Sequence, residues 1–279
     1  MCTARTVLAL LCISPYQRGA AEFGCGQCIP CRINYRRMWV GRIGLEVACH
    51  PRPSSFVTLT YGDESVPESG SLSAAHWRAF SKGIGCRYFG VGEYGSLFGR
   101  PHYHAILAGI PPGEALQLVS QRWRLGFVSV SDYSRERAQY VASYVVKKWT
   151  KPRDELGERL PEFARMSRRP GIGVPGLAWL AQWLVTAEGA KFIARTKDVP
   201  HSVRVDGAIY PLGETCVRYL RLEAGMPEKD PARLRNHELR AQVRADEFPD
   251  LDALRESRRV GGYDRAARAA RRVPSGASL

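Results

Sequence analysis

The apolar positions of this chain change period repeatedly, and each change predicts an element. From Pro30 to Cys49 they fall at Ile33, Trp39, Val40, Ile43 and Val47, the spacing of an amphipathic helix with arginines on its wet face. Pro51-Arg52-Pro53 ends that pattern. Phe56-Val57-Thr58-Leu59-Thr60-Tyr61 is β-branched and aromatic, which predicts a strand. Ser73 is placed to cap a helix running to Ile84 with Trp77 and Phe80 inward. Residues 86–94 and 102–108 read as two strands joined by a turn at Gly95, Ser96 and Gly99. Pro111-Pro112 opens a helix to about Arg124, and Phe127 to Ser131 alternates as a strand. Ser134 caps a further helix over 134–150.

Between residues 56 and 131 the order is therefore strand, helix, strand, strand, helix, strand. That is the split βαβ order of ferredoxin-like and RRM-like domains. The expected class is α+β, an antiparallel sheet with helices on one face and a mostly helical C-terminal extension. Residues 152–176, rich in Arg, Pro and Gly, read as a long loop, while 177–194 and 230–247 read as helices. From Leu254 an arginine-rich tail reads as solvated and flexible. The expected division is 1–55 (strand, cysteine cluster and helix), 56–150 (core), 151–253 (extension) and 254–279 (tail).

Charge narrows the function. There are 41 Lys+Arg against 27 Asp+Glu, a formal net charge of +14. Such an excess favours a polyanionic partner, nucleic acid or an anionic surface. No stretch approaches the ~20 apolar residues of a membrane span. Val7 to Ile13 is apolar, but it is short and no clean cleavage site follows, so it reads as a buried strand. Cys25, Cys28 and Cys31 are crowded together, which suits a metal site in a reducing cytoplasm better than a secreted disulfide framework. With Cys12 they could bind a structural Zn²⁺; reduced, buried thiols are the alternative.

His102-Tyr103-His104 lies in a predicted strand, where alternate side chains share a face, so both imidazoles point the same way. Glu93 sits on the strand expected to pair with it. Two imidazoles and a carboxylate leave coordination positions open, and mixed N/O ligands admit Mg²⁺ or Mn²⁺ as readily as Zn²⁺. A charged strand end without metal is the plainer alternative. On the 134–150 helix, Tyr140, Tyr144 and Lys147 fall on one stripe. Tyrosines packed on a sheet would give the same pattern. A phenol of pKa ~10 is a poor nucleophile, but a nearby lysine stabilises its phenolate and a metal activates a phosphate.

Taken together, these segments resemble a known family. Cys25-Gly26-Gln27-Cys28-Ile29-Pro30-Cys31-Arg32, Phe56 to Tyr61, Gly92-Glu93-Tyr94-Gly95, Gly99-Arg100-Pro101-His102-Tyr103-His104, the tyrosine helix, and Met166 to Gly173 occur in one order. In that order they look like the replication initiators of gokushovirus-type microviruses, single-stranded-DNA bacteriophages, within the HUH endonucleases. The resemblance covers roughly residues 12–220.

It implies rolling-circle replication in the bacterial cytoplasm, with single-stranded origin DNA and host helicase and polymerase as partners. His102, His104 and Glu93 would hold the ion; Tyr140 and Tyr144 would be nucleophiles, forming a 5′-phosphotyrosine and freeing a 3′-OH; Lys147 would support them. Relatives usually carry a lysine three residues after each tyrosine. Here Tyr144 has Lys147 but Tyr140 has Ser143, which puts Tyr144 first. Arg168, Arg169 and Lys148 would contact phosphates, and Trp149 would stack on bases. The competing readings are a non-catalytic single-stranded-DNA-binding protein of related fold and a metal-dependent phosphodiesterase that uses water.

Overall fold

A computed structural model describes residues 12–19, 21–95, 99–147 and 156–228. The helix expected at 230–247, the tail from Leu254 and most of the strand expected at 7–13 lie outside those residues. The elements run β1 (Tyr16–Arg18), β2 (Ala21–Phe23), α1 (Ile29–Ala48), β3 (Ser55–Tyr61), α2 (Ala74–Ser81), β4 (Tyr88–Tyr94), β5 (Pro101–Leu107), α3 (Pro112–Arg122), β6 (Gly126–Asp132) and α4 (Arg135–Lys147). They continue with β7 (Phe163–Met166), α5 (Ala178–Leu184), α6 (Ala187–Thr196), β8 (Ser202–Val205), β9 (Ala208–Pro211) and α7 (Gly213–Glu223). The chain divides into two compact units. One comprises Trp39–Trp179 with Arg204–Ala208; the other draws on Met1–Met38, Leu180–Val203 and Ile209–Leu279.

The first unit is built on a five-stranded antiparallel sheet of order β6-β3-β5-β4-β7. The histidine strand β5 is thus central, flanked by β3 and β4. Side chains alternate across the sheet. Val57, Leu59, Tyr61, Tyr103, Ala105 and Leu107 point to one face and form an apolar core with Trp77 and Phe80 of α2, Ala115 and Val119 of α3, and Trp123. Local chemistry sets the helix starts. The Ser73 hydroxyl accepts from the His76 N–H at 3.2 Å ahead of α2, and the Ser134 hydroxyl accepts from the Arg137 N–H at 3.3 Å ahead of α4. Gly90 leaves room for Trp77: a Cβ there would lie 2.2 Å from two of its ring atoms.

The expectation of helices on one face alone is corrected here. α2 and α3 cover one face, but α4 and the end of α1 cover the other, where Trp39 meets Phe89 at 5.5 Å and Tyr140 meets His104 at 5.2 Å between ring centroids. The reason lies in β4 and β5, which are buried on both faces along most of their length and so need cover on both sides. The second correction is β7. Its residues fall in the segment read as a loop, yet they pair with β4 from Phe89↔Met166 to Gly92↔Phe163. A four-residue edge strand gains its order from the neighbour it pairs with, not from a local pattern.

The helix read over 177–194 is two helices. Thr186 separates them and caps α6 by accepting from the Gly189 N–H at 3.3 Å. The hairpins β1-β2 and β8-β9 and the helix α7 were not anticipated. For β8-β9 the signal was present. Asp206-Gly207 between the strands has φ of 47° and 73°, the left-handed pair that a two-residue hairpin turn requires.

Candidate active site

Antiparallel pairing of β3, β4 and β5 decides which polar groups share one face of the sheet. The register sets Thr60 opposite His102, Thr58 opposite His104, and Glu93 opposite His102. One side chain from each strand end therefore converges beneath α4. Glu93 is buried to 5% exposure and His104 to 8%, unusual for such groups unless they are paired.

Glu93 is the hub. Its Oε1 accepts from His104 Nε2 at 2.7 Å and from the Tyr140 hydroxyl at 2.5 Å. The Tyr144 hydroxyl in turn donates to the Tyr140 oxygen at 3.1 Å. The i, i+4 spacing on α4 is what stacks the two phenols, with ring centroids 5.3 Å apart. Tyr144 is the more deeply buried, at 4% exposure. Burial, the Glu93 charge and its hydrogen bond hold the Tyr140 phenol well above its ordinary pKa, with Glu162 adding to the effect.

The sequence reading missed two threonines. Thr58 Oγ1 lies 2.9 Å from His104 Nδ1, and Thr60 Oγ1 lies 3.2 Å from His102 Nδ1. Each hydroxyl occupies the inner ring nitrogen and leaves Nε2 as the outward one, the arrangement by which a partner orients a ligating imidazole. The signal was legible as Thr-x-Thr on a strand antiparallel to His-x-His. Glu162, just before β7, was also missed; it is buried and accepts from the Tyr94 N–H at 3.3 Å. Its segment carried no strand pattern to place it.

A divalent ion fits the donor set. Glu93 Oε2 is buried with no hydrogen-bond partner, an unused ligand atom beside the histidines. Burial and the nearby His104 and Arg100 charges hold His102 below its ordinary pKa against the pull of Glu93, which favours the neutral, ligating ring. The three residues do not form a closed cage, however. Among the described residues, only two groups have all their ligand atoms within 4.8 Å of one another, namely Cys12-Cys25-Cys28-Cys31 and Glu46-Cys49-His50. The second group is already committed: Glu46 pairs with Arg87 and accepts from the Gly173 N–H at 2.7 Å.

The remaining expected residues are scattered. Lys147 ends α4, but its side chain lies outside the description, as do Lys148 and Trp149 entirely. Arg168 and Arg169 are exposed on the turn after β7, and neither bonds to the Glu93 group among the described residues. The lysine pattern favours Tyr144 as first nucleophile, whereas the hydrogen bonds set Tyr140 nearer to Glu93.

Comparison with known proteins agrees with the resemblance drawn from the motifs. Residues 54–149 match the family of replication-associated proteins of the ORF2 type. The chain is 29% identical over 178 residues to replication-associated protein ORF2 of Spiroplasma virus 4, covering 54% of this chain and 55% of that one. It is 27% identical over 179 residues to replication-associated protein VP4 of Bdellovibrio phage phiMH2K, covering 54% and 56%. It is 26% identical over 153 residues to replication-associated protein ORF4 of Chlamydia phage 1, covering 45% and 38%. The chain thus spans about half the length of the curated relatives it matches, or less. No solved structure matches it significantly. No helix among the described residues is long and apolar enough to cross a membrane.

Proposed function

We propose that this protein initiates rolling-circle replication by nicking single-stranded origin DNA with a tyrosine, and later rejoins the strands. The observation that carries the reading is the contact of the Tyr140 hydroxyl with Glu93 Oε1, beside His102 and His104. A phenol, a carboxylate and two imidazoles on one face of a sheet have little reason to be buried together in a merely structural role. The resemblance to replication-associated proteins and the charge of +14 support the same reading.

His102, His104 and Glu93 would hold Mg²⁺ or Mn²⁺, with Nε2 of each ring and the unpartnered Glu93 Oε2 as the available atoms. When bound, such an ion draws charge from the phosphate oxygens and offsets the Glu93 charge that holds the phenol protonated. The chain's own groups do the rest. Tyr140 attacks phosphorus through its hydroxyl oxygen, and Glu93 Oε1, already its acceptor, takes the proton. The bond from phosphorus to the 3′ oxygen breaks, and that oxygen gains a proton to leave as a 3′-OH primer for the host helicase and polymerase. The 5′ phosphate stays on Tyr140 as an ester. Tyr144, one hydrogen bond behind, serves the second transfer with Lys147 as its cation. Arg168, Arg169 and Lys148 hold the strand by its phosphates, so they give affinity without sequence preference. The setting for all of this is the cytoplasm of a bacterial host.

The test uses the full chain, Mn²⁺ and a pool of end-labelled random single strands run on a denaturing gel. The proposal expects a labelled band at protein mass that chelator abolishes, and a tryptic peptide carrying a nucleotide on Tyr140. Cut strands free of protein would instead indicate a phosphodiesterase using water. Retention without cutting would indicate a binding protein.

A further inference from the structure

The cysteines near the N-terminus are not explained by the nicking site, and their geometry carries its own conclusion. Cys12, Cys25, Cys28 and Cys31 are free thiols, each half-buried, whose sulfurs all lie within 4.8 Å of one another. Cys28 Sγ and Cys12 Sγ are 3.8 Å apart. That is far beyond the ~2.05 Å of a disulfide. It matches the edge of a tetrahedron with zinc–sulfur bonds of ~2.3 Å, which works out at ~3.8 Å.

The backbone around the sulfurs is arranged to stabilise charge on them. The Cys25 N–H donates to Cys12 Sγ at 3.2 Å; the Gln27 and Cys28 N–H groups donate to Cys25 Sγ at 3.4 and 3.3 Å. Gly26 makes this possible, since its φ of 75° turns the chain so that the next two N–H groups face back toward Cys25. Cys31 lies in the first turn of α1, where unpaired N–H groups favour a thiolate. Gly24 leaves its space to Cys31, whose sulfur would be 3.2 Å from a Cβ at that position. Four sulfurs in a cluster, each at a metal-like spacing and several receiving N–H donors, match the closed all-thiolate site of structural zinc, not an open catalytic one.

We infer that Cys12, Cys25, Cys28 and Cys31 bind one structural Zn²⁺ that fastens the β1-β2 hairpin to the start of α1. Cys12 precedes the hairpin, Cys25 follows it, and Cys28 and Cys31 lead into the helix. The ion closes the base of the hairpin, whose two strands of three residues are too short to hold themselves. Four neighbouring thiolates, which repel one another without a cation, become the ligands that hold the segment. This conclusion is independent of the nicking reading.

The experiment is metal analysis of the full chain, purified from zinc-supplemented cells in reductant and dialysed. One zinc per chain is expected. Exchange into Co²⁺ should give the thiolate-to-cobalt charge-transfer band and the intense visible bands of tetrahedral cobalt. Cys12→Ser and Cys28→Ser should each lose most of the zinc, whereas Cys86→Ser, at a cysteine outside the cluster, should keep it. Wild-type protein without zinc, and without a cobalt spectrum, would overturn the site even if the variants fail to fold. Stoichiometric iron in place of zinc would overturn the choice of metal. Full zinc in Cys12→Ser would overturn the fourth ligand.

Discussion

Removing one phenol at a time separates the two tyrosines. In Tyr140→Phe the nearest hydroxyl to Glu93 is gone, and the Tyr144 oxygen stands 3.1 Å behind the position it occupied. A misplacement of ~1 Å can cost ~10²-fold in rate, so the first covalent adduct should form at least ~10²-fold more slowly. In Tyr144→Phe the attacking oxygen stays in place and loses one neutral hydrogen bond. That is worth ~1 kcal/mol, or roughly fivefold in rate. The assay is adduct formation under single-turnover conditions, with labelled single strand and Mn²⁺, resolved on a denaturing gel. The lysine pattern of the sequence argues the reverse order, because Lys147 follows Tyr144 by one turn. If Tyr144→Phe loses the first adduct while Tyr140→Phe keeps it near the wild-type rate, the ranking by hydrogen-bond position is wrong.

Two further outcomes test the surroundings. Thr58→Val removes the hydroxyl on His104 Nδ1 with little change in shape; Mn²⁺ affinity by calorimetry should fall ~10-fold or more, with the adduct rate largely restored at saturating Mn²⁺. Unchanged affinity would show that the threonine does not orient the ring. In the other unit, burial pushes the Asp198 carboxyl up, but hydrogen bonds from His201 and Arg221 outweigh it and hold the carboxyl below its ordinary value. Arg221 is buried and meets Asp198 through Nε at 2.8 Å and Nη2 at 2.6 Å. A depressed carboxyl stabilises fully above its unfolded pKa of ~3.9, and the benefit is lost as pH falls through the folded value. Asp198→Asn should therefore cost about 2–3 kcal/mol in urea unfolding at neutral pH, and the gap to wild type should narrow toward strongly acid pH. A gap that is constant with pH would refute the ion-pair account.

The sequence by itself determined the local elements and the chemical cast. Ser73 and Ser134 marked their helices, and β3 was read from its β-branched and aromatic run. The pairing of Glu93 with His102 followed from a short turn between two strands, as the register bears out. These features are legible because caps, strand alternation and hairpins depend on neighbours in sequence. The tertiary structure decided what depends on distant partners. It paired Thr58 and Thr60 with the histidine rings, since only the β3-β5 register brings them together. It made an edge strand of Phe163–Met166, whose order comes from β4. It also placed Tyr140 ahead of Tyr144 at Glu93, because both phenols share a helix face and only the docking of α4 on the sheet tells them apart.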